Sequence, residues 1–287
     1  MVGWFFWDPN RIAFTLPVLH QPVMWYGILF ALGFFIGFYI FQHLFQRFLF
    51  YYPELIKGKN IKDQAKIFSE RLTFYIIVST ILGARLGHII FYENWIYYLA
   101  HPLNILKTWE GGLASHGAAL GICVGIIPFY YRNRKAFPMI NIARILDLII
   151  IPTLFVGTFI RIGNFINQEI LGIVTTLPWA IVFGHPADGT APLPRHPAQL
   201  YEACFYFIAF CFFWQIFPKM IRYSGRLAGL FFIVVFTFRF CIEFLKEEQS
   251  LLFSHHFLTM GQLLSIPMIF LGTGLYCLHI FKRKQRN

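Results

Sequence analysis

An arginine, two asparagines, a glutamine and a glutamate crowd into IRIGNFINQEILG (160–172), at the end of an apolar run. A guanidinium can hold a phosphate through two parallel N–H bonds, and it stays charged where water is scarce. Gly163 permits close backbone approach, and the Asn164 and Asn167 amides offer donors to phosphate or hydroxyl oxygens. Tyr26, Arg85, Arg239 and the pair Ser115-His116 stand inside or at the ends of other apolar runs. Each has an ordinary explanation when taken singly. An arginine at a helix end reaches toward water, a histidine at a helix start is commonly structural, and Arg239 lies one turn from Glu243, within reach of an ion pair. Taken together, the three cations would repel and desolvate one another, and an anionic ligand removes the conflict. The spacing thus points to a lipid phosphate site without showing a reaction.

The chain that must position these residues is 57% hydrophobic and 13% charged over 287 residues, with a mean hydropathy of +0.60. Several windows of about twenty residues are almost free of charge, the length an α-helix needs to cross roughly 30 Å of hydrocarbon. The expected fold is therefore an all-α, polytopic membrane protein. Seven spans are predicted near 23–44, 72–92, 113–131, 143–160, 200–217, 227–245 and 260–281. With no internal repeat, residues 1–287 read as a single integral membrane domain. The periplasmic segment 161–199 is expected to form a small irregular cap, since Pro178, Pro186, Pro192, Pro194 and Pro197 all fall in it.

Orientation follows from the basic residues of the short loops. Segments 45–71, 132–142, 218–226 and the C-terminal tail hold sixteen of the 24 Lys and Arg, whereas the alternate set holds four: Arg11, Lys107, Arg195 and Lys246. The N-terminus is accordingly outside and the C-terminus cytoplasmic. The net charge of +11 is a topology signal and does not indicate nucleic-acid binding. In this topology Tyr26, Arg85, His116, Arg161 and Arg239 approach the outer face from five spans, while Arg144 and Asp147 lie at a cytoplasmic end, able to pair. Gly33/Gly37, Gly83/Gly87 and Gly117/Gly121/Gly125 predict close helix packing. The five cysteines fall in apolar runs without metal or redox spacing and read as small core residues. No cleavable signal is visible, and Trp4 and Trp7 read as an interfacial anchor.

In order and spacing, WYG (25–27), GARLGHIIFY (83–92), WEGGLASHGAALG (109–121), RIGNFINQEILG (161–172), RHPAQLYEA (195–203), FRFCIEFLK (238–246) and MGQLLSIPM (260–268) resemble the bacterial prolipoprotein diacylglyceryl transferases over nearly the whole chain. The resemblance implies transfer of the sn-1,2-diacylglyceryl group from phosphatidylglycerol to a prolipoprotein's lipobox cysteine, with release of glycerol 1-phosphate and no metal or organic cofactor. It implies Arg161 as phosphate ligand, Arg239 as stabiliser of the leaving group and His116 as thiol base. Tyr26, Asn164, Glu169, Gly172 and Glu243 become head-group contacts or orienting residues, and Arg85, Glu202 and Lys246 secondary candidates. The chain departs from the family pattern at Val235, where a tyrosine is common, at Lys246, where an arginine is common, and at Ala118, where a second glycine is common. The rival reading is a transporter or channel for an anionic or lipid substrate. It fits less well, because the polar cluster is confined to the outer half of the spans.

Overall fold

The structure is a computed structural model. It describes residues 3–17, 20–53, 58, 60–93, 95–107, 114–138, 140–247 and 258–284, and only the main chain of Phe91, Tyr92, Trp95, Ser115, His116 and 278–284. Its helices are α1 (Trp25–Tyr51), α2 (Ile61–Tyr92), the short α3 (Trp95–Ala100), α4 (Ser115–Asn133), α5 (Ile142–Asn167), α6 (Ala198–Met220), α7 (Arg226–Ile242) and α8 (Met260–Lys284). Each predicted span has its helix. Six of them (α1, α2 and α5 to α8) are long and apolar enough to cross a membrane. The protein is an all-α, polytopic membrane protein, and its outward faces show it: Phe35, Phe74, Ile208 and Phe270 are all more than 60% exposed on helix surfaces. Lipid tails are as apolar as such side chains, so no force drives them inward. The same reasoning corrects the reading of the cysteines, since Cys123, Cys204 and Cys241 lie on exposed surface rather than in the core.

The chain divides into two compact units, one of residues 42–145 and one of residues 1–41 with 146–287. In the first, α2 and α4 approach along their glycines. A Cβ added at Gly121 would strike the Ser79 carbonyl and lie 2.9 Å from the Gly83 Cα, and one at Gly87 would collide with the Gly117 Cα. Toward the other end of these helices an aromatic cluster closes the unit, with Phe68 stacked on Phe45 (4.1 Å between centroids) and edge-on to Phe129 and Phe137. Arg144 lies over the Phe48 ring.

In the second unit α1 packs on α5 where Gly33 and Gly37 face Phe159 and Val156. Asp147 does not simply sit beside Arg144 as a local partner. Its carboxylate accepts the Gly225 and Ala228 N–H groups at 2.6 and 2.8 Å, so it caps the start of α7 from another helix. Helix α5 runs to Asn167, seven residues past the predicted end of its span, because no proline or capping residue interrupts RIGNFIN. Arg161 is therefore inside the helix.

Beyond α5 the chain forms a small sheet in place of a wholly irregular cap. Strand β1 (Phe5–Trp7) runs parallel to β4 (Ile181–Phe183), which pairs antiparallel with β5 (Pro194–Arg195); a separate hairpin joins β2 (Ile12–Thr15) to β3 (Pro22–Met24). Trp7 stacks on Phe165 at 4.7 Å and donates its indole N–H to the Phe165 carbonyl. It belongs to the core formed by Phe165, Leu171, Ile181 and Phe183, so the interfacial reading fails for Trp7, whose apolar face has protein to cover it. Trp4 remains partly exposed.

The glycine seam gives a first prediction. Gly121→Ala should destabilise the protein by about 1–3 kcal/mol through overpacking, whereas Gly274→Ala, with nothing within 4 Å of the added Cβ, should not. Thermal melting in detergent checks this, and equal melting midpoints for the two variants would contradict the seam.

Candidate functional site

The last turns of α5 carry Arg161, Gly163 and Asn164 on neighbouring faces. Asn164 and Glu202 are buried and Arg161 nearly so, with 12% of its side chain exposed. Arg161 Nε lies 3.1 Å from Glu202 Oε2, and Nη1 donates to Asn164 Oδ1 at 3.3 Å. Tyr206 also stands near enough to the guanidinium to interact with it electrostatically. Glu202 and Tyr206 are four residues apart on α6 and so share one face; that spacing was the available sequence signal for Tyr206, which sequence reasoning missed. Tyr206 packs against Gly157, and the Tyr26 ring lies on Gly163, where a Cβ would come within 2.7 Å of it.

After α5 the chain reverses through two non-glycine residues in the left-handed region, Gln168 (φ +56°) and Ile170 (φ +55°). For β-branched Ile170 this is unusual, and such strain, of order 1–3 kcal/mol per residue, persists only where surroundings over-determine it. Here they do. The Gln168 side chain donates to Asp8 Oδ1 and accepts the His185 N–H, its carbonyl accepts the Ala187 N–H, and the Glu169 N–H donates to the Asn164 carbonyl. Gln199 donates to the Glu169 carbonyl at 2.6 Å. The turn points Glu169 back at the helix it left, where its carboxylate accepts from both Asn164 and Asn167 at 3.0 Å. Outside the long apolar helices, hydrogen bonds from His185 and Gln168 hold the Asp8 carboxyl below its ordinary range. Partial burial pushes Asp188 upward, but hydrogen bonds from Thr190 outweigh it and leave that carboxyl lowered too.

Gly172 joins the RIGNFINQEILG stretch to the end of α7. Glu247 N–H donates to Leu171 O and Ile173 N–H to Leu245 O, both at 3.0 Å, with Gly172 opposite Lys246. A Cβ on Gly172 would strike the His196 carbonyl and lie 2.9 Å from the Leu245 carbonyl, so only glycine closes this ladder. Arg195 ties it down from the side, donating to Gly172 O (3.1 Å), Glu247 (2.7 Å) and Thr190 (3.2 Å). The ladder turns Lys246 inward, where Nζ lies 3.3 Å from Glu243 Oε2 and 3.8 Å from Glu202 Oε1.

The outcome is a buried row of alternating charge: Arg161, Glu202, Lys246, Glu243. Neither Glu202 oxygen receives a well-aligned hydrogen bond, so the contact is chiefly one of charge with charge. Removing one member of such a buried pair typically costs about 3–5 kcal/mol, because the other is left uncompensated. Glu243 thus pairs with Lys246 and not with Arg239, one turn earlier. Among the described residues Arg239 has no carboxylate within ion-pair distance. Its level on α7 is set by Phe238, stacked on Phe205 of α6 at 3.7 Å. Val235 is buried.

Contacts thus link Tyr26, Arg161, Asn164, Glu169, Gly172, Glu202, Glu243 and Lys246. Arg85 belongs to the other unit and donates Nε and Nη2 to the carbonyls of Ile105 and Asn104, holding the 3₁₀ turn Pro102–Leu106. His116 is in the first turn of α4, but its side chain, like residues 109–113 of the same motif, lies outside the described residues.

A helical membrane protein with a buried charge row beneath a strand-built cap is the class these features define. The sequence model of the family described as prolipoprotein diacylglyceryl transferase matches residues 11–278, and the chain belongs to that family. It is similar to proteins named phosphatidylglycerol–prolipoprotein diacylglyceryl transferase from Protochlamydia amoebophila (33% identity, covering 96% of this chain and 94% of the relative). Those so named from Chlamydia trachomatis (36%, covering 94% and 96%) and Chloroherpeton thalassium (39%, covering 95% and 93%) are also similar.

Because the Gly172 ladder places Lys246, Gly172→Ala should lower the melting midpoint by several degrees, the shift that about 1–3 kcal/mol of overpacking produces. An unchanged midpoint would show that the His196 and Leu245 carbonyls can yield.

Proposed function

We propose that this chain transfers the sn-1,2-diacylglyceryl group from phosphatidylglycerol to the lipobox cysteine of prolipoproteins, the step that begins lipoprotein maturation. Family membership and the relatives' names support the reaction class; the observation that carries the site is Arg161, set in buried surroundings with part of its guanidinium already oriented by Glu202 and Asn164. The thiolate sulfur bonds to the glyceryl carbon as that carbon's bond to the phosphate oxygen breaks. The electron pair stays on the phosphate, giving a thioether and glycerol 1-phosphate. A free thiol titrates near pKa 8.5, so a base favours the reactive form; His116 takes that role. Arg161 holds the lipid phosphate, and Arg239 stabilises the charge that grows on it. Tyr26, Asn164, Glu169, Gly172 and Glu243 shape the head-group site.

The enzyme sits in the bacterial inner membrane as one integral domain, N-terminus outside, with this site toward the periplasmic leaflet. The supporting observation is the sixteen-to-four bias of basic residues between the alternate loops.

Full-length protein in phosphatidylglycerol vesicles should move labelled diacylglyceryl to a lipobox peptide. Arg161→Ala and Arg161→Lys should each lower kcat/KM by about a hundredfold or more, the scale of losing a positioned charge-stabilising donor; wild-type rates would remove Arg161 from the role. His116→Gln should depress the rate most near neutral pH and least at high pH, where the thiol ionises unaided. A pH profile parallel to wild type would make His116 structural.

A further inference from the structure

We infer that Glu202, held by Lys246, is the positioning residue that orients Arg161 toward the lipid phosphate, an inference that rests on the reaction proposed above. Glu202 is fully buried, and the cations within ion-pair distance of it among the described residues are Arg161 and Lys246. A guanidinium is a planar fork of five N–H donors. With Nε drawn to within 3.1 Å of Glu202 Oε2 by charge and Nη1 donating to Asn164, one edge of the Arg161 fork is held in place. The remaining N–H groups are the ones that can meet a phosphate.

The position of Glu202 is itself fixed twice. The first turn of α6 is anchored to the turn at 168–170 by Gln199, three residues before Glu202. Lys246 reaches it from a backbone whose register is set by the Gly172 ladder, and Glu243 balances the second charge of Lys246's surroundings. Arg161, Glu202, Lys246 and Glu243 are therefore neutral as a group when all are ionised. Removing only the Glu202 charge would leave Arg161 and Lys246 facing each other across a site of low polarity, and the arginine would turn away from its productive plane. Removing the Lys246 charge as well would relieve that repulsion.

The test uses full-length protein in phosphatidylglycerol vesicles with a lipobox peptide as acceptor. Glu202→Gln should lower kcat/KM for the lipid by about tenfold or more while the KM for the peptide stays within about twofold. Glu202→Gln combined with Lys246→Gln should recover at least about threefold of that loss, a non-additivity expected of coupled neighbours. Wild-type lipid kinetics in Glu202→Gln, equal losses toward both substrates, or a double variant with the product of the two single losses would each overturn the inference. Should Glu202→Gln fail to accumulate in membranes, Glu202→Asp decides: the charge is kept but its reach is shortened, so a selective loss toward the lipid supports positioning and wild-type lipid kinetics overturns it. A wild-type protein that transfers nothing would instead overturn the reaction itself.

Discussion

One carboxylate organises the charged interior of this protein. Glu202 has no exposed surface, and burying its charge is tolerable only because Arg161 and Lys246 stand on either side. Those two cations come from chain segments more than eighty residues apart, on α5 and just after α7. Each segment must be brought to the carboxylate by something other than the charges: α5 by its glycine contacts with α1 and Tyr206, and the 243–247 segment by the main-chain ladder at Gly172. The charge row is thus a result of backbone architecture, and it then locks that architecture by making any misplacement expensive.

This arrangement alters how the arginines divide their work. Read from the sequence, three cations near one face seemed to require an anionic ligand for their very burial. In the structure Arg161 has its own counter-ion and Arg85 its own carbonyls, so neither depends on a ligand to be buried. Arg239 is different. Glu243 is committed to Lys246, and among the described residues no other carboxylate lies within ion-pair distance of Arg239. The two arginines thus differ in their surroundings, one held by a buried carboxylate and one without such a partner among the described residues.

The helices were legible because a membrane span is a long, nearly uncharged run, a signal that survives without knowing any neighbour. Gly83 and Gly121 were legible for a related reason, since four-residue spacing marks a face wherever it occurs. What could not be read was pairing between distant segments. Within FRFCIEFLK, Glu243 lies one turn from both Arg239 and Lys246, and the local rule does not choose between them. Trp7 looked like an anchor because its partner, Phe165, is 158 residues away. The family pattern commonly has an arginine at Lys246, yet here a single flexible ammonium reaches two carboxylates from one position. Tyr206 was hidden by the aromatic run around it, in which one phenol has no distinguishing neighbour until Arg161 is placed beside it.

The parallel pairing of β1 with β4 has a consequence for biogenesis. Phe5 pairs with Ile181 across a stretch of chain that contains four of the long helices, α1, α2, α4 and α5. A contact so distant along the chain carries a high loop-closure cost and forms late. The strained turn at Gln168 and Ile170 leans on Asp8, beside that strand, so it too must wait. The helices that lie between the two strands in sequence can therefore pack before this turn gains its support.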